Sequence, residues 1–369
     1  MKSFILQAHL QHYRCRDNQI IKTNNMKNFL GRERTKRSSL ISLLFFSLAV
    51  LLVESCAKKD PPAPVLNITT IASGLIVPIG IETDKAGRIW ITQSGSGRND
   101  GKVTVITKDG KKYDVITNFE SVLTESGEPD GPSHLLFADG LLYILGTRGK
   151  MYKANVSAYK PGDAPVNAST LGVEDIGAFV LAYKFQNDTG ESHPYNLTPG
   201  PNGSIYITDA AANAIIRRDK TGALSIVTAV PGIPNPTPVG PPQVESVPTG
   251  IIYDGKDFLV TNLLGFPFPA GKALIYKVSP TGTIAPYQQG FNSLVDIAEG
   301  GPLGRLVLEY GTFGPTGFMP KTGRLVWATG STMTVLADGL NFPVGLNQVN
   351  ERTWYVTSMG DGSVLKVTY

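Results

Sequence analysis

PVGLNQVNERTWYVTSMGDGSVLKVTY, residues 343–369, is the stretch on which the fold turns. It opens on Pro343-Val344-Gly345-Leu346, crosses a polar turn into the apolar run 354–357, and ends on one more strand-like segment, 362–369. The same Pro-x-Gly-apolar opening stands at Pro78-Ile79-Gly80-Ile81 and Pro248-Thr249-Gly250-Ile251. Looser copies are Pro132-Ser133-His134-Leu135, Pro194-Tyr195-Asn196-Leu197 and Leu294-Val295-Asp296-Ile297. A turn and an apolar run follow every copy, at 89–92, 142–145, 205–208, 258–261, 306–308 and 354–357. These six copies lie a mean of 53 residues apart between Pro78 and Pro343, close to the ~40–50 of four-stranded propeller blades.

Two further strand-like segments follow each run, as at 214–218, the Asp219-Lys220-Thr221-Gly222 turn and 224–228. Four short strands per repeat make a blade. The runs are continuously apolar, as when each sheet is sandwiched between two others. The last copy stops one strand short, whereas 68–72 followed by Ser73-Gly74-Leu75 matches the fourth-strand pattern of 333–337 followed by Asp338-Gly339-Leu340. The sequence therefore predicts an all-β fold, a six-bladed β-propeller over residues 65–369 whose N-terminal strand completes the last blade and removes exposed edges. A β-sandwich plus a small second domain is the competing architecture. Helices are not expected, and the irregular stretches 155–192 and 231–247 read as insertions, the second too Pro-rich for a strand.

Composition agrees with short elements and tight turns: of 369 residues 40 are Gly and 26 Pro, with 41% hydrophobic and 17% charged. The formal charge of +4 is confined to the N-terminus. Residues 1–55 carry nine Lys and Arg against Asp17, Glu33 and Glu54, leaving 25 Lys and Arg against 27 Asp and Glu beyond them. That balance gives no footprint for nucleic acid or anionic lipid.

The N-terminal segment reads as a secretory signal: Lys27, Arg32, Arg34, Lys36 and Arg37 precede an apolar run over 40–53 and then Val53-Glu54-Ser55-Cys56. The run is shorter than the ~20 residues of a membrane-spanning helix. A small residue before Cys56 resembles a bacterial lipobox, so Cys56 is the expected lipidation site and 56–64 a short Pro-rich tether. Met26 makes a natural signal start, and residues 1–25 read as an upstream extension. The expected location is the bacterial outer membrane, on its periplasmic or surface side, rather than the inner membrane. With Cys15 in the extension and Cys56 lipidated, residues 57–369 hold no cysteine, which removes disulfides and Cys chemistry.

Ala72-Ser73-Gly74-Leu75 with Pro78-x-Gly80, His193-Pro194-Tyr195-Asn196 leading into Thr208-Asp209-Ala210, and Val247-Pro248-Thr249-Gly250 followed by Gly265-Phe266-Pro267-Phe268-Pro269 resemble the ScyD/ScyE family over about residues 65–369. That family is similar to exported six-bladed propellers of NHL and lactonase type. The resemblance implies fold more than activity. Where the family pattern implies a carboxylate after the second strand, this chain has Gln93 and Asn262.

Beyond residue 55 only His134 and His193 remain, too few for a three-His zinc site. No Gly-x-Ser-x-Gly elbow supports a Ser-His-Asp triad, and no phosphate-cradling motif occurs. The better candidates follow from blade geometry. The third residue of each opening, here called the lead position, is Gly80, His134, Asn196, Gly250, Asp296 or Gly345. The residue ending the next strand, the exit position, is Gln93, Gly146, Asp209, Asn262, Glu309 or Ser358. Both border the channel on one face, which would present Gln93, His134, Asn196, Asp209, Asn262, Asp296 and Glu309. Such oxygen-rich rings suit Ca²⁺, held by Asp209, Asp296 and Glu309, or a polyhydroxylated ligand. The plainer alternative is that Asp209 and Asn213 hydrogen-bond backbone at turns while Asp296 and Glu309 are solvated. His193 reads as a surface residue, and Trp90, Tyr143, Tyr206 and Tyr355 as core packing. Two functions follow: a monomeric scaffold, anchored to the membrane by lipid alone, that binds a small polar ligand or an envelope protein; or a lactonase-like, divalent-metal-dependent hydrolase with Asp296 or Glu309 as general base.

Overall fold

The computed structural model describes residues 64–369 except Asp139 and Ser331, and all but the side chain of Leu303. The signal, the tether and Cys56 lie outside the described residues. Six sheets, each with four antiparallel strands, form the six blades of a propeller, and the sheet of blade 1 gains a fifth, parallel strand. Blade 1 runs Pro78–Thr83, Ile89–Gln93, Gly101–Ile106, Lys112–Phe119; blade 2 Leu135–Ala138, Leu141–Leu145, Lys150–Ala154, Gly172–Asp175; blade 3 Pro194–Pro199, Ile205–Asp209, Ala214–Arg218, Leu224–Ala229. Blade 4 runs Pro248–Tyr253, Phe258–Asn262, Ala273–Val278, Ile284–Phe291; blade 5 Leu294–Glu299, Arg305–Glu309, Gly323–Thr329, Thr332–Leu340; blade 6 Pro343–Asn350, Thr353–Ser358, Ser363–Thr368. The N-terminal strand Asn67–Ala72 supplies the fourth strand of blade 6, pairing antiparallel with Ser363–Thr368.

The core is divided among the seams between blades. Trp90, Val103 and Val105 of blade 1 pack on Leu142 and Ile144 of blade 2. The next residue of the same strand, Ile91, packs with Ile81, Ile106 and blade 6's Val364 at the opposite seam. Consecutive side chains of a strand thus enter different seams, both dry, which is why the second strands are apolar without alternation. Trp90, Tyr143 and Tyr206 are buried as expected, but Tyr355 is half-buried and its neighbour Trp354 fills the seam between blades 5 and 6.

The glycines of the Pro-x-Gly openings are explained by close approach. A Cβ on Gly80 would lie 2.7 Å from the Cα of His134, one on Gly250 2.7 Å from the Cα of Asp296, and one on Gly345 2.3 Å from the carbonyl oxygen of Ile79. Each glycine lets the next blade's inner strand reach the axis. A β-bulge early in the inner strands of blades 1, 3, 4, 5 and 6 breaks the ladder there, and in blades 1, 3 and 6 a threonine of the second strand repairs it. Thr357 Oγ1 accepts from Gly345 N–H at 2.8 Å and donates to Ile79 C=O of blade 1 at 2.6 Å. Thr208 accepts from Asn196 N–H and donates to Thr249 C=O of blade 4. Thr92 accepts from Gly80 N–H and donates to Ser133 C=O of blade 2.

The stretch 155–192 contains more than an insertion, because the outer strand of blade 2 lies in it, as does Val166–Asn167, which pairs parallel with blade 1. It also contains a helix, Ile176–Ala182, against the expectation of none. Asp175 caps it by accepting from Ala178 N–H at 2.7 Å, and Ile176 and Val180 are buried on blades 2 and 3. The stretch 231–247 is an insertion, but Ile233–Pro234 and Gln243–Val244 form a two-residue ladder within it.

Candidate functional site

The exit positions act as braces. Gln93 accepts from Ile76 N–H at 2.7 Å and donates to Thr104 Oγ1 at 2.7 Å. Asp209 accepts from Ser192 Oγ and from the N–H groups of His193 and Ala212 at 2.6–2.9 Å. Asn262 accepts from Leu274 N–H and donates to Ser246 Oγ, and Ser358 donates to Asn341 C=O. Glu309 accepts from Asn292 N–H at 2.8 Å and from Arg324 Nε at 2.5 Å. In all five blades one partner lies in the connector just before that blade's own inner strand. Glutamine, aspartate, asparagine, glutamate and serine can each supply that hydrogen bond, which accounts for Gln93 and Asn262 without a carboxylate.

These residues do not meet the lead positions. Exit residues pair with the first residue of the inner strand, as in Pro194–Asp209 and Leu294–Glu309, and the bulge then sets Asn196 opposite Thr208 and Asp296 opposite Leu308. Among the described residues no three His, Cys, Asp or Glu side chains are grouped to hold a metal ion. The expected Ca²⁺ set of Asp209, Asp296 and Glu309 is therefore dispersed, and protein donors occupy Asp209 and Glu309.

Three lead residues do converge. His134 of blade 2, Asn196 of blade 3 and Asp296 of blade 5 line a channel cavity of about 200 Å³. Asp296 Oδ1 accepts from Asn196 Nδ2 at 2.9 Å and Ile297 N–H at 2.9 Å, and its Oδ2 accepts from Leu346 N–H of blade 6 at 2.7 Å. His134 Nδ1 lies 2.8 Å from Tyr195 C=O, which places the ring proton on Nδ1. Its Nε2 lies 3.9 Å from Asp296 Oδ2, in a ring only 5% exposed that also meets the Val344 backbone.

Two residues beyond each lead position, the same strands present a second ring containing Glu82 and Asn347. Asn347 Nδ2 donates to Glu82 Oε2 at 3.2 Å, as does Thr83 N–H. Neither residue was singled out from the sequence, although the two-residue period of an inner strand points from Gly80 to Glu82 and from Gly345 to Asn347. The cavity thus lies beyond the lead ring, on the side away from the exit positions.

Burial sets the charge states. It pushes the Asp296 carboxyl up to about 7 against its three hydrogen bonds, with Glu82 adding repulsion. It also pushes Glu82 up to about 7 against Thr83 N–H and Asn347, and holds His134 down to about 4 against the Tyr195 and Val344 backbone. His193, read as a surface residue, is largely buried: burial opposes its charge, but the Asp130 carboxylate 3.3 Å away prevails and raises its pKa.

No family model and no curated protein matches the sequence. Among solved structures, the PQQ-bound aldose sugar dehydrogenase of Streptomyces coelicolor is 14% identical with a TM-score of 0.53, covering 84% of this chain and 99% of its own. A protein of unknown function from Bacteroides thetaiotaomicron is also 14% identical with a TM-score of 0.53, over 82% of this chain and 76% of its own. A gluconolactonase of Xanthomonas campestris is 9% identical with a TM-score of 0.52, over 82% and 89%. At such identities the likeness is one of fold, that of a β-propeller.

Proposed function

We propose that the chain is a propeller lipoprotein of ScyD/ScyE type, anchored in the cell envelope through Cys56, whose function is to bind a small polar ligand in its central channel. The observation that carries the reading is the cavity beyond the lead ring, where Glu82, His134, Asn196, Asp296 and Asn347 converge from five blades. A concave site with a few convergent polar groups of perturbed pKa is where ligands bind. The metal-dependent hydrolase finds less support, since Asp209 and Glu309 serve as braces apart from Asp296.

Calorimetric titration of the intact protein with small polar compounds tests this, with Ile252→Trp as a channel-filling control. Ile252 lines the cavity and is only half-buried, so the larger ring enters the channel at little cost to folding. Saturable binding that this variant loses supports the channel. Binding indifferent to the variant refutes it.

A further inference from the structure

We propose that the chain carries a second binding site away from the channel: a cleft between blades 1 and 2 that takes a neutral sugar ring, with Tyr152 as its buried anchor. The proposal stands independently of the channel reading.

The cleft arises where the chain crosses from one blade edge to the next. Val166–Asn167 pairs parallel with the outer strand of blade 1, a short 3₁₀ turn over Ala168–Thr170 follows, and Gly172–Asp175 pairs with blade 2. The crossing contributes Ala168 and Ser169 to a cavity of about 490 Å³, which Asn118 and Glu120 line from blade 1 and Tyr152 and Val173 from blade 2. That volume lies in the range of small-ligand sites.

Tyr152 carries the inference. It is only 7% exposed, and buried tyrosine hydroxyls usually find a partner. Among the described residues this hydroxyl meets no hydrogen-bond donor or acceptor, and it stays open to the cavity. Packing alone does not call for it, since a phenylalanine ring would stand edge-on to Phe119 at the same 4.9 Å. Blade 2 is also altered to seat the ring. Its exit position is Gly146, where the other five blades have a brace, and a Cβ there would lie 2.8 Å from Tyr152 Cε2. Burial and the Glu120 carboxylate raise the phenol's pKa, so the hydroxyl keeps its proton and can donate.

Charge decides the class of ligand. Glu120 is shared by Arg148 at 2.8 Å and Lys150 at 3.8 Å, and it accepts from Thr147 Oγ1 at 2.8 Å. A charged ligand would have to break into that cluster. What the lining offers otherwise is uncharged: the hydroxyls of Tyr152 and Ser169, the Asn118 amide and Asn99 Nδ2, beside the apolar Ala168 and Val173. Amides and hydroxyls both donate to and accept from ligand hydroxyls, while the apolar side chains suit the C–H face of a ring.

The test is NMR titration of the intact protein with methyl glucoside, glucuronate and glucosamine, one ring in neutral, anionic and cationic form. We expect methyl glucoside to bind most tightly, to bind about tenfold more weakly in Tyr152→Phe, the loss of one hydrogen bond, and not to bind Ser169→Trp. Ser169 is exposed and lines the cleft, so the indole fills the site at little cost to folding. Tyr152→Phe should keep the wild-type midpoint in urea, because the hydroxyl has no protein partner to lose. A lower midpoint, or unchanged affinity in that variant, overturns the anchor. Glucuronate or glucosamine binding as tightly as methyl glucoside overturns the neutral sugar. Binding that survives Ser169→Trp overturns the cleft, and its loss in Ile252→Trp would assign it to the channel instead. No binding by any of the three probes also overturns the cleft.

Discussion

Thr357→Val tests how the ring is closed. The hydroxyl of Thr357 is wholly buried and makes two hydrogen bonds, one from Gly345 N–H at 2.8 Å within blade 6 and one to Ile79 C=O of blade 1 at 2.6 Å. Valine keeps the shape and removes both. Gly345 N–H stands at a bulge, where the neighbouring strand does not replace the lost acceptor. Each buried backbone group left without a partner costs about 1–3 kcal/mol, so the variant should lose about 2–4 kcal/mol once the seam relaxes. Urea unfolding is the assay, read as a lower midpoint at unchanged slope. Thr353→Val on the same strand is the control: Thr353 is only half-buried and lies away from the seam hydroxyls, and surface changes of this kind stay within about 0.5 kcal/mol. If Thr357→Val unfolds within 0.5 kcal/mol of the wild type, the seam is held by apolar packing alone and the account of the threonine staple is wrong.

Deleting residues 64–73 should lower the melting temperature sharply and promote association, because it exposes the paired edge of Ser363–Thr368; a truncated protein with wild-type stability would contradict the shared blade. Glu309→Gln should cost about 1.5–3 kcal/mol, the worth of hydrogen bonds to a charged group, through Arg324 and Asn292, while channel binding measured by calorimetry stays unchanged. Asp296 has a folded pKa near 7, raised above its ordinary 3.8; its contribution to stability is complete below about pH 4 and lost as pH rises to 7. Asp296→Asn should therefore flatten the fall in stability over that window in pH-dependent melting curves, and an unchanged slope would mean the carboxyl is ionised throughout. Cys56→Ser should abolish acyl labelling and release the protein from membranes, and persistent labelling would rule out the lipobox.

The repeat, the number of blades and the closing strand were legible in the sequence because they are properties of a linear pattern. Pro-x-Gly openings, apolar runs and a last repeat one strand short each reflect a local or nearest-neighbour requirement: a glycine where the next blade crosses, a dry face on both sides, an edge to be covered. The lead residues His134, Asn196 and Asp296 were legible for the same reason, since a fixed place in a repeat becomes a fixed place around an axis. The helix Ile176–Ala182 was hidden because its few residues are held by burial on blades 2 and 3 and by Asp175, and the outer strand of blade 2 is similarly set within irregular sequence. What the tertiary structure alone decided is which polar residues share a site. A bulge shifts pairing by one residue, and one residue in a strand is the difference between two faces. That shift separates Gln93, Asp209, Asn262 and Glu309 from the axis and commits them to connectors, while Glu82 and Asn347, two residues inward from glycines, meet His134 and Asp296. Their burial, and hence their charge, depends on five blades arriving at one place, which no single segment of the chain encodes.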